Sequence, residues 1–504
     1  MSATHTPATV ELALVSHTNA GKTTLARTLL GREIGEVRDA PHVTELAQAH
    51  TLLETPGGDV LRLWDTPGFG DSARLVKRLR AADNPIGWLM REVWDRYRNR
   101  PLWCSQQAVR TVRESADVVL YLVNAAEDPG DAGYVAPEMQ ILTWIGKPVI
   151  VLLNQVGPPR PVADERAEVD RWKSTVSTFP VVHEVLALDA FARCWVQEGV
   201  LLRLLGSFLP AAKQPAMRRL VVMWHARNID RFRQSMGVLA QQLLAAVHDR
   251  QTVAQSLPEE RSRRVLSALG LGARAGDQAR EDAMATLAER LDRHIRASTD
   301  RLIALHGLEG EAASMVLERL ETHYSMTEPM SAGKAAAAGG IASGALAGLL
   351  ADLAAGGITL GAGIVAGTLV GALGGAGVAR GHNLVRGADK GSVAWSPSFL
   401  DGLVRSALLR YLAVAHFGRG RGAYAEAEAP AFWKDEVAQA VDARRQSFEA
   451  LWENARGSDD AAQAEADLQS LLADAAIQLL ERLYPGAVPA MEDSNTIRQD
   501  VSPR

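Results

Sequence analysis

The chain has 504 residues, which is long enough for two or three domains. Its formal net charge of −5 gives no general reason to expect a nucleic acid as partner. Cys104 and Cys194 are the only cysteines; they are too few for a disulfide scaffold, lack metal-site spacing and suit a reducing cytosol. The first residues are polar without an apolar stretch, so we expect no signal peptide.

A phosphate-binding loop is indicated near the start of the chain. Residues 12–24 read LALVSHTNAGKTT, an apolar strand that leads into a Gly-Lys-Thr triplet. In such loops, N–H groups at a helix N-terminus cradle phosphate oxygens, the lysine reaches the β- and γ-phosphates, and the hydroxyl ligates Mg²⁺. We therefore expect a nucleoside triphosphate and Mg²⁺ to bind here. The expected phosphate-loop contacts are Ser16, Thr18, Asn19, Ala20, Gly21, Lys22, Thr23 and Thr24.

The helix that follows the loop is expected to be amphipathic. Leu25, Leu29 and Leu30 fall on one face, and Gly31 is expected to end the helix in the left-handed conformation that glycine tolerates. The usual loop begins with glycine, where this chain has Ser16. A serine costs more than glycine at that position if the turn requires a positive φ.

A second nucleotide motif follows a strand expected over Val60–Trp64. It reads Asp65-Thr66-Pro67-Gly68. The Asp65 carboxylate would hold Mg²⁺ through a water molecule, and the Gly68 N–H would face the γ-phosphate. This turn is common by itself. At the end of a second strand that follows a phosphate loop, it is a much more specific signal of a nucleotide site.

The two motifs, Asn19–Thr23 and Asp65–Gly68, resemble the Era-like and TrmE-like branch of the TRAFAC-class bacterial GTPases. The resemblance spans residues 10–205, and the whole chain is similar to bacterial GTPases fused to a C-terminal domain of unknown function. It implies GTP and GDP as ligands, hydrolysis of GTP to GDP and phosphate, and Mg²⁺ as cofactor. It also implies catalytic roles for Lys22, Thr44 and Asn19.

By the same resemblance, Thr44 is the switch threonine that closes on Mg²⁺ and the γ-phosphate. Thr23, Thr44 and Asp65 would then form the metal site. Thr51 and Thr55 are nearby alternatives, and an ordinary loop role for Thr44 stays open.

The usual catalytic glutamine is absent. Many GTPases place glutamine directly after the switch glycine to orient the attacking water, and this chain has Phe69 there. We therefore expect slow hydrolysis, stimulated by a partner or by K⁺. The resemblance implies that Asn19 would help to hold the K⁺ ion.

The base-reading motif departs from the family. After a strand expected over Pro148–Leu153 comes Asn154-Gln155-Val156-Gly157, where the family has Asn-Lys-x-Asp. Asn154 keeps its type, and Gln155 would lay its stem along the purine. Gly157 replaces the carboxylate that accepts hydrogen bonds from guanine, so discrimination against adenine should fall.

The last base-contacting loop is expected at Ala187 and Leu188, after a strand over Val181–Leu186. Asp189 follows directly. It either supplies a replacement carboxylate for the base or caps the next helix.

Strands that alternate with helical stretches predict an α/β P-loop NTPase domain, with a mostly parallel sheet and helices on both faces, followed by an all-α region. A helical insertion at 71–113 carries Trp88, Trp94, Tyr97 and Trp103, and is either an effector surface or a helix packed on the domain. The expected division is a tail (1–9), the GTPase domain (10–210), a helical domain (211–330), a Gly/Ala-rich hairpin (331–380), a second helical domain (381–485) and a tail (486–504).

The Gly/Ala-rich segment is the second informative feature. Between 335 and 379 the only charged residue is Asp352, and glycines recur every four residues, as at Gly340, Gly344 and Gly348. That spacing lets two helices approach closely, and positive residues flank the segment, as cytoplasmic ends of a membrane hairpin would require. Alanine and glycine outnumber larger apolar residues, so a buried soluble hairpin is the alternative.

Two functional classes follow from these features. The first is a slow GTPase switch on the cytoplasmic face of the inner membrane, with lipid or a membrane protein as partner. The second is a soluble regulatory GTPase in the cytoplasm, whose helical half binds a protein. An NTPase with relaxed base specificity and a homo-oligomer both stay open.

Overall fold

The computed structural model describes residues 6–18, 20–31, 47–91, 100–157, 159–192, 194–253, 271–308, 392–417, 430–457 and 460–488, with backbone only over 271–281. The chain divides into two compact units. The first comprises Met1–Ile229, His416–Ala423 and Leu483–Arg504, and the second comprises Asp230–Ala415 and Tyr424–Arg482. The predicted Gly/Ala-rich hairpin, together with Trp94 and Tyr97 of the insertion, lies outside the described residues.

The first unit is built on a six-stranded sheet in the order β2-β3-β1-β4-β5-β6. The strands are β1 (Thr9–Ser16), β2 (Gln48–Glu54), β3 (Val60–Asp65), β4 (Val118–Asn124), β5 (Val149–Asn154) and β6 (Val182–Ala187). All neighbours are parallel except β2, which pairs antiparallel with β3. The predicted α/β fold is confirmed, while the antiparallel edge strand β2 was not foreseen.

The sheet is covered on both faces, because β5 is buried along its whole length and β4 along all but its last residue. The helices of this unit are α1 (Lys22–Leu30), α2 (Ser72–Leu79), α3 (Pro85–Arg91), α4 (Arg100–Glu114), α5 (Val135–Ile145), α6 (Val162–Val176), α7 (Trp195–Phe208) and the start of α8 (Gln214–His248). Within the insertion, Leu75, Leu89 and Val109 join the sheet's hydrophobic core, and Trp88 and Trp103 pack against it. The described part of the insertion is therefore packed on the domain.

The second unit is helical. It contains the rest of α8, then α9 (Leu271–Leu305), α10 (Pro397–Ala415), α11 (Ala431–Asp442), α12 (Arg445–Gly457) and most of α13 (Ala461–Leu483). A short strand interrupts the helical domain expected at 211–330, because β7 (Arg250–Thr252) follows α8 and pairs antiparallel with β8 (Ser392–Ala394). Within the ranges described above, no helix combines the length and hydropathy needed to cross a lipid bilayer.

Candidate nucleotide-binding site

The phosphate loop connects the end of β1 to the start of α1. Gly21 precedes the first helical residue with φ 84 and ψ 24, a left-handed conformation that glycine adopts without strain. Gly31 ends α1 in the same conformation, and its N–H bonds to the carbonyl of Thr28. Leu25 is fully buried. The predicted strand, loop, helix and glycine cap are therefore all confirmed.

Ser16 is the last residue of β1 and needs no positive φ, so the expected cost of a serine at this position does not arise. Its hydroxyl donates to the carbonyl of His17 and accepts a hydrogen bond of 2.9 Å from Lys22 Nζ. Ser16 is fully buried. The Ser16 hydroxyl therefore positions the Lys22 amine within the phosphate loop.

Lys22, Thr23 and Asp65 meet where β1 and β3 end side by side. Thr23 Oγ1 donates to Asp65 Oδ2 over 2.7 Å. Burial lowers the pKa of Lys22 and raises that of Asp65, while the charges of the two groups act against both shifts. A buried lysine and a buried aspartate are costly unless each has an opposite charge nearby.

The oxygen donors of this cluster fit a magnesium ion. Asp65 Oδ1 is buried and has no hydrogen-bond partner among the described residues, while Oδ2 points to the Thr23 hydroxyl. Carboxylate and hydroxyl oxygens are the ligands that Mg²⁺ takes alongside substrate phosphates. Thr44 and Asn19, the other expected ion contacts, lie outside the described residues.

The second motif lies directly against the phosphate loop. A Cβ added to Gly68 would lie 3.1 Å from Lys22 Nζ and 3.1 Å from Thr18 Cα, so glycine allows this close approach without displacing either neighbour. Phe69 N–H donates to the carbonyl of Ser16, and Thr18 Oγ1 donates to the carbonyl of Phe69 over 3.0 Å. The Phe69 side chain is fully buried in the core, so it cannot orient a water molecule.

Asn154 ties the base-reading motif to the phosphate loop. Its side chain is fully buried; Nδ2 donates to the carbonyl of Ala20 over 2.9 Å, and Oδ1 accepts from the N–H of Ala190 over 2.8 Å. Ala187 pairs with Leu153 at the end of the sheet, and the Leu188 N–H donates to the carbonyl of Leu153. The two predicted base loops therefore lie side by side. Gln155 has φ 59, a strained value for this residue type.

Asp189 does not cap the next helix, because the N-cap of α7 is Cys194. Its carboxylate accepts hydrogen bonds from the backbone N–H groups of Val156, over 2.6 Å, and Phe191, over 2.7 Å. Asp189 therefore shapes the loop in which Gly157 adopts φ +88. A role for this carboxylate in reading the base stays a prediction.

Sequence reasoning missed a further group at the site. His17, inside the phosphate loop, contacts Glu138 of α5, and Glu138 also contacts Tyr121 of β4. The only sequence signal was a histidine within the loop, because its partner is 121 positions away.

Comparisons with known families agree with this geometry. Residues 181–481 match the family described as "Domain of unknown function (DUF3482)", and since this is more than half of the chain, the protein belongs to that family. Residues 11–155 match the family described as "50S ribosome-binding GTPase". The first unit thus contains a P-loop GTPase domain, and a helical C-terminal region follows it.

Solved structures of low similarity were also found. An Era variant from Aquifex aeolicus bound to GDP·AlF4⁻ is 18% identical with a TM-score of 0.30, and the match covers 40% of this chain and 57% of that one. Era in complex with MgGDPNP and nucleotides of 16S ribosomal RNA is 14% identical with a TM-score of 0.30, over 56% and 90% of the two chains. This chain thus spans little more than half the length of the Era variant from Aquifex aeolicus. No curated protein matches this chain.

Proposed function

We propose that this protein is a switch that binds GTP and hydrolyses it slowly to GDP and phosphate. The observation that carries the proposal is the cluster in which Thr23 Oγ1 contacts Asp65 Oδ2 at 2.7 Å beside the buried Lys22 amine. Asp65 at the end of β3 meets Lys22 and Thr23 at the start of α1 there, and this arrangement suits a triphosphate and its metal. Elsewhere in the described part of the chain, no group of three or more His, Cys, Asp or Glu residues could hold a metal ion.

Each residue of the cluster has a distinct task. The Lys22 ammonium would neutralise the β- and γ-phosphates, and the N–H groups that open α1 would bind their oxygens. Thr23 and Asp65 would hold the metal, one directly and the other through water. When bound, Mg²⁺ neutralises charge that develops on the phosphate oxygens.

The binding step is tested with Lys22→Ala and Thr23→Ala, measured with a fluorescent GTP analogue and by phosphate release. Both variants should lose GTP binding or turnover while the fold, monitored by circular dichroism, is retained. Lys173→Ala removes an exposed lysine that pairs with Glu184 at 2.8 Å and serves as the matched control. Normal binding and turnover by both loop variants would refute the proposal.

Slow turnover follows from the burial of Phe69, because no side chain at that position orients water. We propose that K⁺ accelerates the reaction and that Asn19 contributes to its site, with Thr44 closing on the γ-phosphate. Hydrolysis should then be faster in KCl than in NaCl at equal ionic strength, and Asn19→Ala should remove the difference. Equal rates in the two salts would contradict this part.

Relaxed base specificity is a second candidate. It is favoured by Gly157, which brings no carboxylate to the base loop, and by Asp189, whose carboxylate already accepts hydrogen bonds from the N–H groups of Val156 and Phe191. Competition of GTP and ATP for the wild-type protein decides it. A preference for GTP of about 1000-fold or more, equal to about 4 kcal/mol, would exclude it.

We also propose that the segment 335–379 forms a membrane hairpin, which places the protein on the cytoplasmic face of the inner membrane. The support is compositional, since one charged residue in the segment and positive residues on both sides suit such a hairpin. Wild-type protein should remain in the membrane fraction after washes in high salt and alkaline carbonate. Complete recovery in the supernatant after gentle lysis would instead favour a cytoplasmic GTPase with a protein partner.

A further inference from the structure

A groove runs between α12 and α13 in the second unit, with a volume of about 620 Å³. On the α12 side it is lined by Ser447, Leu451 and Asn454, which lie four and three positions apart. On the α13 side, Ala464 and Leu471 lie seven positions apart. Residues at these spacings share one face of a helix. Each helix therefore presents a continuous face to the groove.

The walls of the groove are fixed by the hydrophobic core beneath them. Phe448 and Trp452 of α12 are buried, with ring centroids 5.8 Å apart, and Leu472 of α13 is fully buried. Arg444, directly before α12, donates a hydrogen bond of 3.2 Å to the carbonyl of Asp474 on α13. Because both helices are anchored in this way, the groove is formed before any ligand binds, which lowers the entropic cost of binding.

A row of carboxylates follows the α13 side of the groove. Asp460, Asp467 and Asp474 line it and are exposed, and none of the lining residues is a lysine, arginine or histidine. Seven positions correspond to about 10 Å along a helix, so the whole row spans about 21 Å. Carboxylates so far apart cannot share one cation, because Ca²⁺ and Mg²⁺ bind their oxygen ligands at about 2–2.6 Å. The row therefore suits a ligand whose positive charges are separately spaced.

The rest of the lining is small or apolar. Leu451 and Leu471, one from each helix, are partly exposed, and Ala450 and Ala464 also line the groove. Small side chains let a further helix pack at an axis distance of about 8–10 Å. An apolar groove between two helices is the surface that an amphipathic helix recognises. The leucines and alanines thus favour a helical ligand with an apolar stripe.

We propose that this groove docks an amphipathic helix of a protein partner, in which lysine or arginine recurs about every seven positions beside an apolar stripe. A helix that lies along α13 has the same rise per residue, so cations at heptad spacing would face successive aspartates. Opposite charges also steer such a partner towards the groove. The groove lies in the second unit, and its use does not depend on the proposed GTP hydrolysis.

The probe is a synthetic peptide of three heptads, with leucine at two positions of each heptad, lysine at two more, and alanine or glutamine elsewhere. Three heptads are needed because isolated helices shorter than about 12–15 residues are marginally stable. Binding to the full chain is measured by fluorescence anisotropy. The wild type should bind this peptide saturably, and the affinity should fall as NaCl is increased. A scrambled peptide of the same composition should bind about tenfold more weakly or less, because it retains the charge but not the apolar stripe.

Variants of the chain locate the binding surface. The double variant Asp467→Lys/Asp474→Lys should lose about tenfold or more in peptide affinity, because each change replaces an attraction by a repulsion. Ala450→Trp fills the groove without a change of charge and should also lose binding. Asp300→Lys, at an exposed position of α9 outside the groove, is the matched control and should bind as wild type does. Asp460 stays unchanged because its carboxylate accepts a hydrogen bond at the N-terminus of α13.

Several results would overturn the inference: no saturable binding by the wild type, equal binding of the scrambled peptide, or an equal loss in Asp300→Lys. Circular dichroism and melting temperatures show whether each variant is folded. Sedimentation analysis tests a second copy of the chain as the occupant. A wild-type dimer that dissociates in Ala450→Trp would assign the groove to that copy and overturn the inference. GTP binding is measured on the same samples, and its absence would refute the proposed function while the peptide result stands.

Discussion

Replacement of Gly21 by alanine is expected to damage both the fold and the nucleotide site. The backbone there has φ +84, and an added Cβ would lie 2.6 Å from Asn154 Nδ2. A non-glycine residue in the left-handed region costs about 1–2 kcal/mol. The Asn154 side chain cannot move aside freely, because it holds the carbonyl of Ala20 and the N–H of Ala190.

The size of the effect follows from these contacts. Displacing Asn154 breaks two hydrogen bonds, each with a net contribution of about 0.5–1.5 kcal/mol. Together with the backbone strain, Gly21→Ala should cost about 2–5 kcal/mol. A domain of this size loses about 2–4 °C in melting temperature per kcal/mol, so a decrease of roughly 4–20 °C is expected.

Gly31→Ala is the matched control. Gly31 has φ +65, but nothing lies within 4 Å of an added Cβ, so this variant carries the backbone strain alone. Thermal unfolding of the full chain is followed by tryptophan fluorescence. The transition of the GTPase unit is the one whose melting temperature increases when GTP is added. GTP affinity is measured in parallel, and only Gly21→Ala should weaken it.

Equal melting temperatures for Gly21→Ala and Gly31→Ala would refute the contribution of Asn154. Wild-type GTP affinity in Gly21→Ala would refute the reasoning as a whole, because the phosphate loop would then tolerate a displaced Asn154. Asn154→Ala adds an independent check. Asn154→Ala alone should lower the melting temperature. In the Asn154→Ala background, Gly21→Ala should lower the melting temperature less than it does in wild type, because the clash with Asn154 is then absent.

Asp59→Asn should destabilise the first unit by about 1–3 kcal/mol in urea unfolding, because the fully buried Asp59 carboxylate accepts bonds of 2.7 and 3.0 Å from Arg219; an unchanged midpoint would contradict this. Burial raises the pKa of Asp65 above its unfolded value, so the stability of the nucleotide-free protein should fall as pH rises between those two values. Asp65→Asn should remove that slope and abolish Mg²⁺-dependent GTP binding, and an unchanged slope would count against it. Gly157→Asp should raise the preference for GTP over ATP in competition binding. The variant should lose about 1 kcal/mol of stability, because an aspartate is strained at φ +88. An unchanged ratio of GTP to ATP affinity, with a strongly guanine-selective wild type, would show that another group reads the base.

Local motifs could be interpreted from the sequence because local backbone geometry determines them. The phosphate loop requires a strand end, a glycine with positive φ and a helix start within a few positions, and Ser16 to Lys22 supply all three. The cap at Gly31 and the strand before Asp65 follow the same logic. The family resemblance rested on these short segments, and the match over residues 11–155 supports the GTPase domain that it implied.

Tertiary structure alone decided the contacts that shape the site from a distance. Asn154 meets Ala20 across 134 positions, His17 meets Glu138 across 121, and Asp189 meets Val156 across 33. None has a periodicity or spacing that reveals it, since each exists because a buried polar group must find a partner wherever the fold provides one. The expected helix-capping role of Asp189 failed for this reason: its carboxylate instead accepts hydrogen bonds from the backbone N–H groups of Val156 and Phe191, in two loops that the sheet brings together.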